Sequence, residues 1–438
     1  MADIGILADS LRLSGVRTLL LSMKNYSNPT VWFTREINES DLEFVISNQI
    51  EYRLADEPKF LIILVSVLVL FLPPLKTTNY FYGRLRDLYF EPSKVVRCIK
   101  YLSNFLPKIL NSNKIVKIIA FFYSFINNRD QLQFPDKFLF VGFFTKNLQL
   151  LELARQNGSR IICLIYSWDN PYKYNFLPSL FDEYWVWNEY MGEDIHRLHK
   201  IPKDKIKISG AIQFDYLLSE YKYSSEHPTI KFVSSNVNNY YLFLFSSSYN
   251  AVHQEIELLR LISNNLKEVG DPTHILVRPY PNIKDKGIYD SIKSIDNIYF
   301  DTSVYDTTDD YHLFVKKEVI DKCKVVINIV TTMALEAAVL NKLIIQLAFA
   351  PFGLKNSKKK FEYLDLNSIM KNDHLNRYLF LDKYPNVVRS ECDFKNLMHY
   401  ILSEDYYELM KFTTYLSNFS VQTMNKKSLE IIKTFLCR

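Results

Sequence analysis

From Lys137 onward, short apolar runs alternate with stretches of helical period. Lys137–Phe144 (KFLFVGFF) reads as a buried strand, and Asn147–Gln156 repeats apolar residues every three to four positions, as an amphipathic helix does. Asn157-Gly158 ends that helix, and Arg160–Tyr166 (RIICLIY) is the next apolar strand. Asp182–Trp187, a helix over Glu189–Leu198 and Lys205–Ser209 continue the alternation. Strands separated by helices of roughly 10–15 residues need crossover connections, so the expected sheet is parallel. A polar, Ser- and Asn-rich stretch over Ser219–Asn239 reads as a boundary. A second series follows: strand Tyr240–Phe245, helix His253–Val269, strand His274–Val277, strand Asn297–Phe300, helix Tyr311–Ile320, strand Lys324–Val330, helix Thr332–Leu340 and strand Leu343–Leu347. The fold class is therefore α/β, with Rossmann-like doubly wound domains over residues 1–220 and 221–404. The segment 405–438 reads as helices crossing back to the first domain.

Two segments depart from this pattern. Phe60–Leu72 (FLIILVSVLVLFL) is apolar over 13 residues and stops at Pro73-Pro74, short of the roughly 20 that a bilayer crossing needs. Between Lys59 and Asp130 eleven basic residues face three acidic ones, a surplus of +8 in a chain whose net charge is +5. Lys94, Arg97 and Lys100 share a helix face, as do Lys114 and Lys117. The window reads either as a solvated face or as a surface for anionic lipid headgroups or a pyrophosphate-linked acceptor. A nucleic-acid partner is not expected, because the remaining charge is close to balanced and no recognised module is present.

Composition narrows the chemistry. Only 10 glycines occur and none are clustered, which excludes the G-x-G-x-x-G turn and the Walker loop. A bound nucleotide would have to be held without a glycine cradle. The five cysteines are scattered, which argues against a disulfide framework and for a reducing compartment. The start has no basic-then-apolar signal-peptide pattern, so the expected location is cytoplasmic, peripheral at the inner face of the membrane.

Four strand ends carry candidate residues. Tyr166-Ser167-Trp168-Asp169-Asn170-Pro171 follows a buried strand, where open α/β sheets bind ligands, so Asp169 is a candidate catalytic carboxylate. Asp-Asn-Pro is equally a common turn sequence. In Val330-Thr331-Thr332-Met333-Ala334-Leu335-Glu336, a strand runs into two threonines and a helix. Their hydroxyls, the first N–H groups and the helix dipole make an anion site, and Glu336 lies one turn further, placed to accept ribose hydroxyls. The alternative is simple Thr capping with Glu336 on the surface. Arg278, with Tyr280 in the loop after it, is a candidate phosphate partner, and Ser246 and Ser247 end the first strand of the same domain. His196 and His199 read as a surface pair, and no Asp-x-Asp occurs, so neither a metal nor another cofactor is expected.

Ser167–Leu217 (SWDNP…DEYWVWNEYMGEDIHRLHKIPKDKIKISGAIQFDYL) and Val325–Phe349 (VVINIVTTMALEAAVLNKLIIQLAF) resemble bacterial surface-polysaccharide glycosyltransferases of the GT-B type. The resemblance covers roughly residues 135–350. It extends more loosely to teichoic-acid glycerophosphotransferases and nucleotide-sugar 2-epimerases. It implies two Rossmann-like domains facing a cleft, with a nucleotide-sugar donor in the C-terminal domain and a glycan or lipid-linked acceptor in the N-terminal one. The family's donor phosphate and ribose motif falls on Thr331, Thr332 and Glu336. Many relatives have His-Pro where this chain has Arg278-Pro279. The implied activity is metal-independent glycosyl transfer in capsule or lipopolysaccharide assembly. The alternatives are glycerophosphate transfer, sugar epimerisation, or a catalytically inactive scaffold that binds an assembly partner.

Overall fold

The computed structural model describes residues 3–8, 11, 15–33, 37–54, 133–141, 148–173, 180–221, 223, 226–246, 252–280, 286–306, 309–349, 373–403, 406–420 and 428–437. Phe60–Leu72 and the basic window to Asp130 lie outside these residues, as does Ser247. The chain divides into two compact units, 1–215 with 421–438, and 216–420.

The first unit is built on β1 (Ile4–Ala8), β2 (Pro29–Phe33), β3 (Glu51–Leu54), β4 (Lys137–Val141), β5 (Arg160–Leu164), β6 (Glu183–Val186) and β7 (Ile206–Ile208). Every neighbour pairs parallel, in the order β3-β2-β1-β4-β5-β6-β7. Most strand residues from Ile4 to Val186 are buried on both faces, as a parallel sheet covered by crossover helices requires. Those helices are α1 (Val16–Lys24), α2 (Glu39–Ser47), α3 (Leu148–Gln156), the short α4 (Asn170–Lys173) and α5 (Glu189–His199). Asn38 and Asn188 cap α2 and α5, each side chain accepting an N–H three residues on. Gly15, with φ +85°, enters α1 where a Cβ would sit 2.5 Å from the Ile212 carbonyl oxygen.

The second unit repeats the plan. It contains α6 (Pro228–Ser235), β8 (Tyr240–Leu244), α7 (Val252–Glu268), β9 (His274–Arg278), β10 (Ile298–Phe300), α8 (Ser303–Asp306) and α9 (Asp309–Asp321). Then come β11 (Val325–Asn328), α10 (Thr332–Val339), β12 (Leu343–Leu347), α11 (Asp373–Tyr378), β13 (Val387–Val388), α12 (Glu391–Leu402) and α13 (Tyr407–Ser420). The parallel sheet runs β10-β9-β8-β11-β12-β13, the doubly wound order whose direction reverses between β8 and β11.

The polar stretch read as a boundary contains α6. Pro228 opens it with a φ already helical, His227 accepts the Thr229 N–H, and Ile230 and Val233 bury one face. The last helix, α14 (Ser428–Cys437), belongs to the first unit, where Ile432 joins the core formed with α1, whereas α13 packs on α10 and β12. The tail expected as helices crossing back to the first domain does so through α14, after α13 has packed on the second. No helix among the described residues is long and apolar enough to cross a membrane.

Candidate functional site

Parallel pairing places four sequence-distant residues on one rung of the second sheet: Arg278, Leu244, Asn328 and Gln346 are successive register partners. This rung lies at the carboxyl ends of the strands and straddles the β8–β11 reversal, where open α/β sheets leave a crevice for ligands. Just beyond it β11 enters α10. Thr331 has an extended backbone (φ −147°), and its hydroxyl accepts the Met333 N–H at 3.2 Å. Serving as an acceptor leaves the hydroxyl's own hydrogen to donate outward. Ala334 N–H bonds to Thr331 O at 3.1 Å, and Thr332 N–H has no partner among the described residues. The helix start therefore presents N–H and O–H donors together with the positive end of its dipole.

Glu336 follows one turn later and is buried, not on the surface. Its Oε1 accepts a hydrogen bond from Lys316 Nζ at 2.7 Å. Tyr216 lies against the same pair, with Lys316 Nζ 5.3 Å from its ring centre. Burial drives the Tyr216 hydroxyl well above its ordinary range, and the charge of Glu336 adds to this, so it stays neutral.

Arg278 departs from its expected role. Rather than presenting its guanidinium to a phosphate, it is 4% exposed and ion-paired with fully buried Asp301, just past β10. Asp301 also accepts Thr229 Oγ1 at 2.9 Å, Ser303 N–H at 3.0 Å and Ser303 Oγ at 2.6 Å. Arg278 Nη2 donates to His312 Nε2 at 3.4 Å. Burial and the neighbouring Arg278 push the His312 imidazole down to about 3, so it is a neutral acceptor. A carboxylate immediately past a neighbouring strand has claimed the arginine.

Ser246 is buried beyond β8, and its N–H donates to Glu255 Oε1 at 2.7 Å. Tyr280 is half-buried two residues past Arg278. Sequence reasoning missed Lys316, Asp301, His312 and Tyr216. The one available signal was that His312 and Lys316 fall on the α9 face carrying buried Val315 and Val319, where a charged side chain needs a partner.

In the first unit, Asp169 is half-buried in the turn after β5. Ser167 Oγ donates to Asp169 Oδ1 at 2.7 Å, while Asn170 Oδ1 accepts Ser167 N–H at 2.9 Å. Trp168 is buried at the sheet end. Helix α5 holds the turn: Tyr172 OH donates to buried Asp194, which also accepts Arg197 Nη2 at 3.0 Å. His199 Nε2 donates to Pro171 O at 2.7 Å. Burial pushes His199 down to about 4, so its ring is neutral and engaged in structure, unlike the surface role expected of it. No group of three metal-ligating side chains occurs among the described residues.

No protein-family model and no curated protein matches the chain in sequence. Solved structures match over its whole length. A UDP-N-acetylglucosamine 2-epimerase superposes with a TM-score of 0.52 at 11% identity, covering 100% of this chain and 97% of its own. S. aureus MnaA bound to UDP gives 0.50 at 11% identity over 100% and 97%. A glycosyltransferase from Rickettsia africae ESF-5 gives 0.50 at 12% identity over 99% and 98%. The chain has the GT-B fold. At such identities the likeness is one of backbone architecture. Within the GT-B frame, the Thr331-capped helix start and Glu336 belong to the second Rossmann-like unit, and Asp169 to the first.

Proposed function

We propose that the chain is a GT-B glycosyltransferase of bacterial surface-polysaccharide assembly, using a nucleotide-sugar donor and a glycan or lipid-linked acceptor. The observation that carries this reading is the β8–β11 reversal, with a Thr331-capped helix start beside it and a buried carboxylate, Glu336, one turn along. A donor phosphate there takes hydrogen bonds from the Thr331 and Thr332 hydroxyls and the first N–H groups of α10, and Glu336 accepts the ribose hydroxyls. Arg278 then acts by fixing the β9–β10 ends through Asp301, not by touching phosphate. Asp169 is read as the base that takes the acceptor hydroxyl proton. The acceptor oxygen bonds to the anomeric carbon as the bond from that carbon to the phosphate oxygen breaks, and the α10 donors stabilise the departing charge. Turnover in this scheme needs no metal and persists in excess chelator. The basic window before Asp130 supports a lipid-linked acceptor at an anionic membrane face.

A second reading, nucleotide-sugar 2-epimerisation, is favoured by the name of one of the similar structures. Incubation with UDP-N-acetylglucosamine, followed by NMR, separates them. Net release of UDP, faster with a polysaccharide acceptor, is the expected result. Conversion of the sugar to its C2 epimer while it remains attached to UDP would replace transfer with epimerisation. Absence of nucleotide binding by calorimetry would leave the scaffold alternative.

A further inference from the structure

Glu336 does not stand alone in the nucleotide site. Lys316 on α9 hydrogen-bonds Oε1 through Nζ at 2.7 Å and lies 2.6 Å from Oε2, within ion-pair distance of both oxygens. Both groups are deep: the Glu336 side chain is 5% exposed and that of Lys316 19%. Other charged and titratable groups around the pair are already accounted for. Arg278 of β9 is neutralised by Asp301 after β10, and His312, one turn before Lys316, is uncharged. Tyr216 is a neutral phenol, with Tyr221 next to it in the same segment. Burial pulls the Lys316 ammonium below its ordinary range and Glu336 counters that pull.

This matters because a ribose diol offers two O–H donors. An ionised carboxylate accepts both, whereas a carboxylic acid has converted one oxygen into a donor. A carboxyl group this deep, deprived of its cation, takes up a proton at higher pH than an exposed one. We propose that Lys316 is the positioning residue of the nucleotide site: its ammonium, set against both carboxylate oxygens, fixes Glu336 as the acceptor, so that a nucleotide's 2′,3′-diol is recognised equally well across the neutral pH range. The proposal rests on the donor-site reading of Glu336 given above.

The test is calorimetric titration of the full chain with uridine diphosphate and its 2′-deoxy form between pH 5.5 and 8.5. The readout is the affinity ratio of the two ligands, which cancels the titration of the phosphate itself. The unmodified protein should keep a constant ratio. In Lys316→Met the ratio should fall toward one at the acid end and recover by about tenfold or more toward pH 8.5. Lys316→Arg, which retains a cation, should restore the constant ratio. A purely packing role for Lys316 would lower both affinities and leave their ratio independent of pH in every variant, which would overturn the proposal while sparing the donor site. If Lys316→Met does not fold, Lys316→Gln, which keeps a polar side chain without the charge, gives the same readout: a ratio that falls at the acid end supports the proposal and a constant one overturns it. Failure of the unmodified chain to bind uridine diphosphate at all would remove the donor-site reading and this inference together.

Discussion

Arg278 at the end of β9 and Asp301 just past β10 neutralise each other inside the second unit, at 4% and 0% side-chain exposure. Their strands are register neighbours, Val277 pairing with Phe300, so the two side chains meet although 23 positions separate them in sequence. The pair braces the strand ends at one side of the crevice.

Arg278→Ala should therefore behave as a stability mutant. It strands a buried carboxylate, which typically costs about 3–5 kcal/mol. Denaturant unfolding followed by fluorescence should show this loss, and nucleotide affinity of the folded fraction should fall far less than in Glu336→Gln. An affinity loss without a stability loss would restore the arginine as a direct phosphate ligand.

Asp169→Asn keeps the size of the side chain and an acceptor for Ser167 Oγ but removes basicity. Donor affinity should persist, while turnover falls roughly 10²–10⁴-fold, as for loss of a general base. Steady-state rates and calorimetry on the same preparation test this. Turnover close to that of the unmodified protein would leave Asp169 as a turn former.

Glu255 gives a pH signature. Burial pushes its carboxyl up to about 7 from 4.5, although Ser246 N–H favours the charged form. The unfolded chain loses this proton near its ordinary value, and the folded chain keeps it until about neutrality. The stabilisation is therefore complete at low pH and is lost as pH rises toward 7, a change of roughly 3 kcal/mol. Glu255→Gln should match the unmodified protein near pH 4 and exceed it by about that amount at pH 8. Parallel stability curves for the two proteins would contradict this assignment.

The C-terminal helix is anchored by Asp215, whose two carboxylate oxygens accept Ser428 N–H at 3.0 Å and Leu429 N–H at 2.8 Å. This is an N-cap supplied from the other end of the unit. Asp215→Ala should cost about 1–3 kcal/mol. Hydrogen exchange should accelerate first across residues 428–437, before the sheet opens.

Much of the architecture was legible because helical and strand periods are local properties. The strands from Lys137 to Leu347 and the Thr-capped start of α10 follow from apolar runs, turn residues and a capping hydroxyl within a few positions of each other. The β1–β3 portion of the first sheet was not read, since Pro29–Phe33 opens on a proline and Glu51–Leu54 carries two charged residues, so neither shows an apolar run like that at Lys137–Val141. Helix α6 was hidden because its polar residues outnumber the two apolar ones that it buries.

The sequence by itself determined the alternating α/β pattern, the absence of a glycine cradle and the threonine-capped helix start, because each depends on neighbours a few residues apart. Tertiary structure alone decided which charge meets which. Arg278 was expected to face a phosphate, yet strand order put Asp301 beside it. Glu336 was expected to accept ribose hydroxyls or to lie on the surface, yet the packing of α9 brought Lys316 against both of its oxygens. In a buried environment an ionised group is stable only with a partner, and that partner is chosen by which strands and helices become neighbours, which the order of residues along the chain does not display.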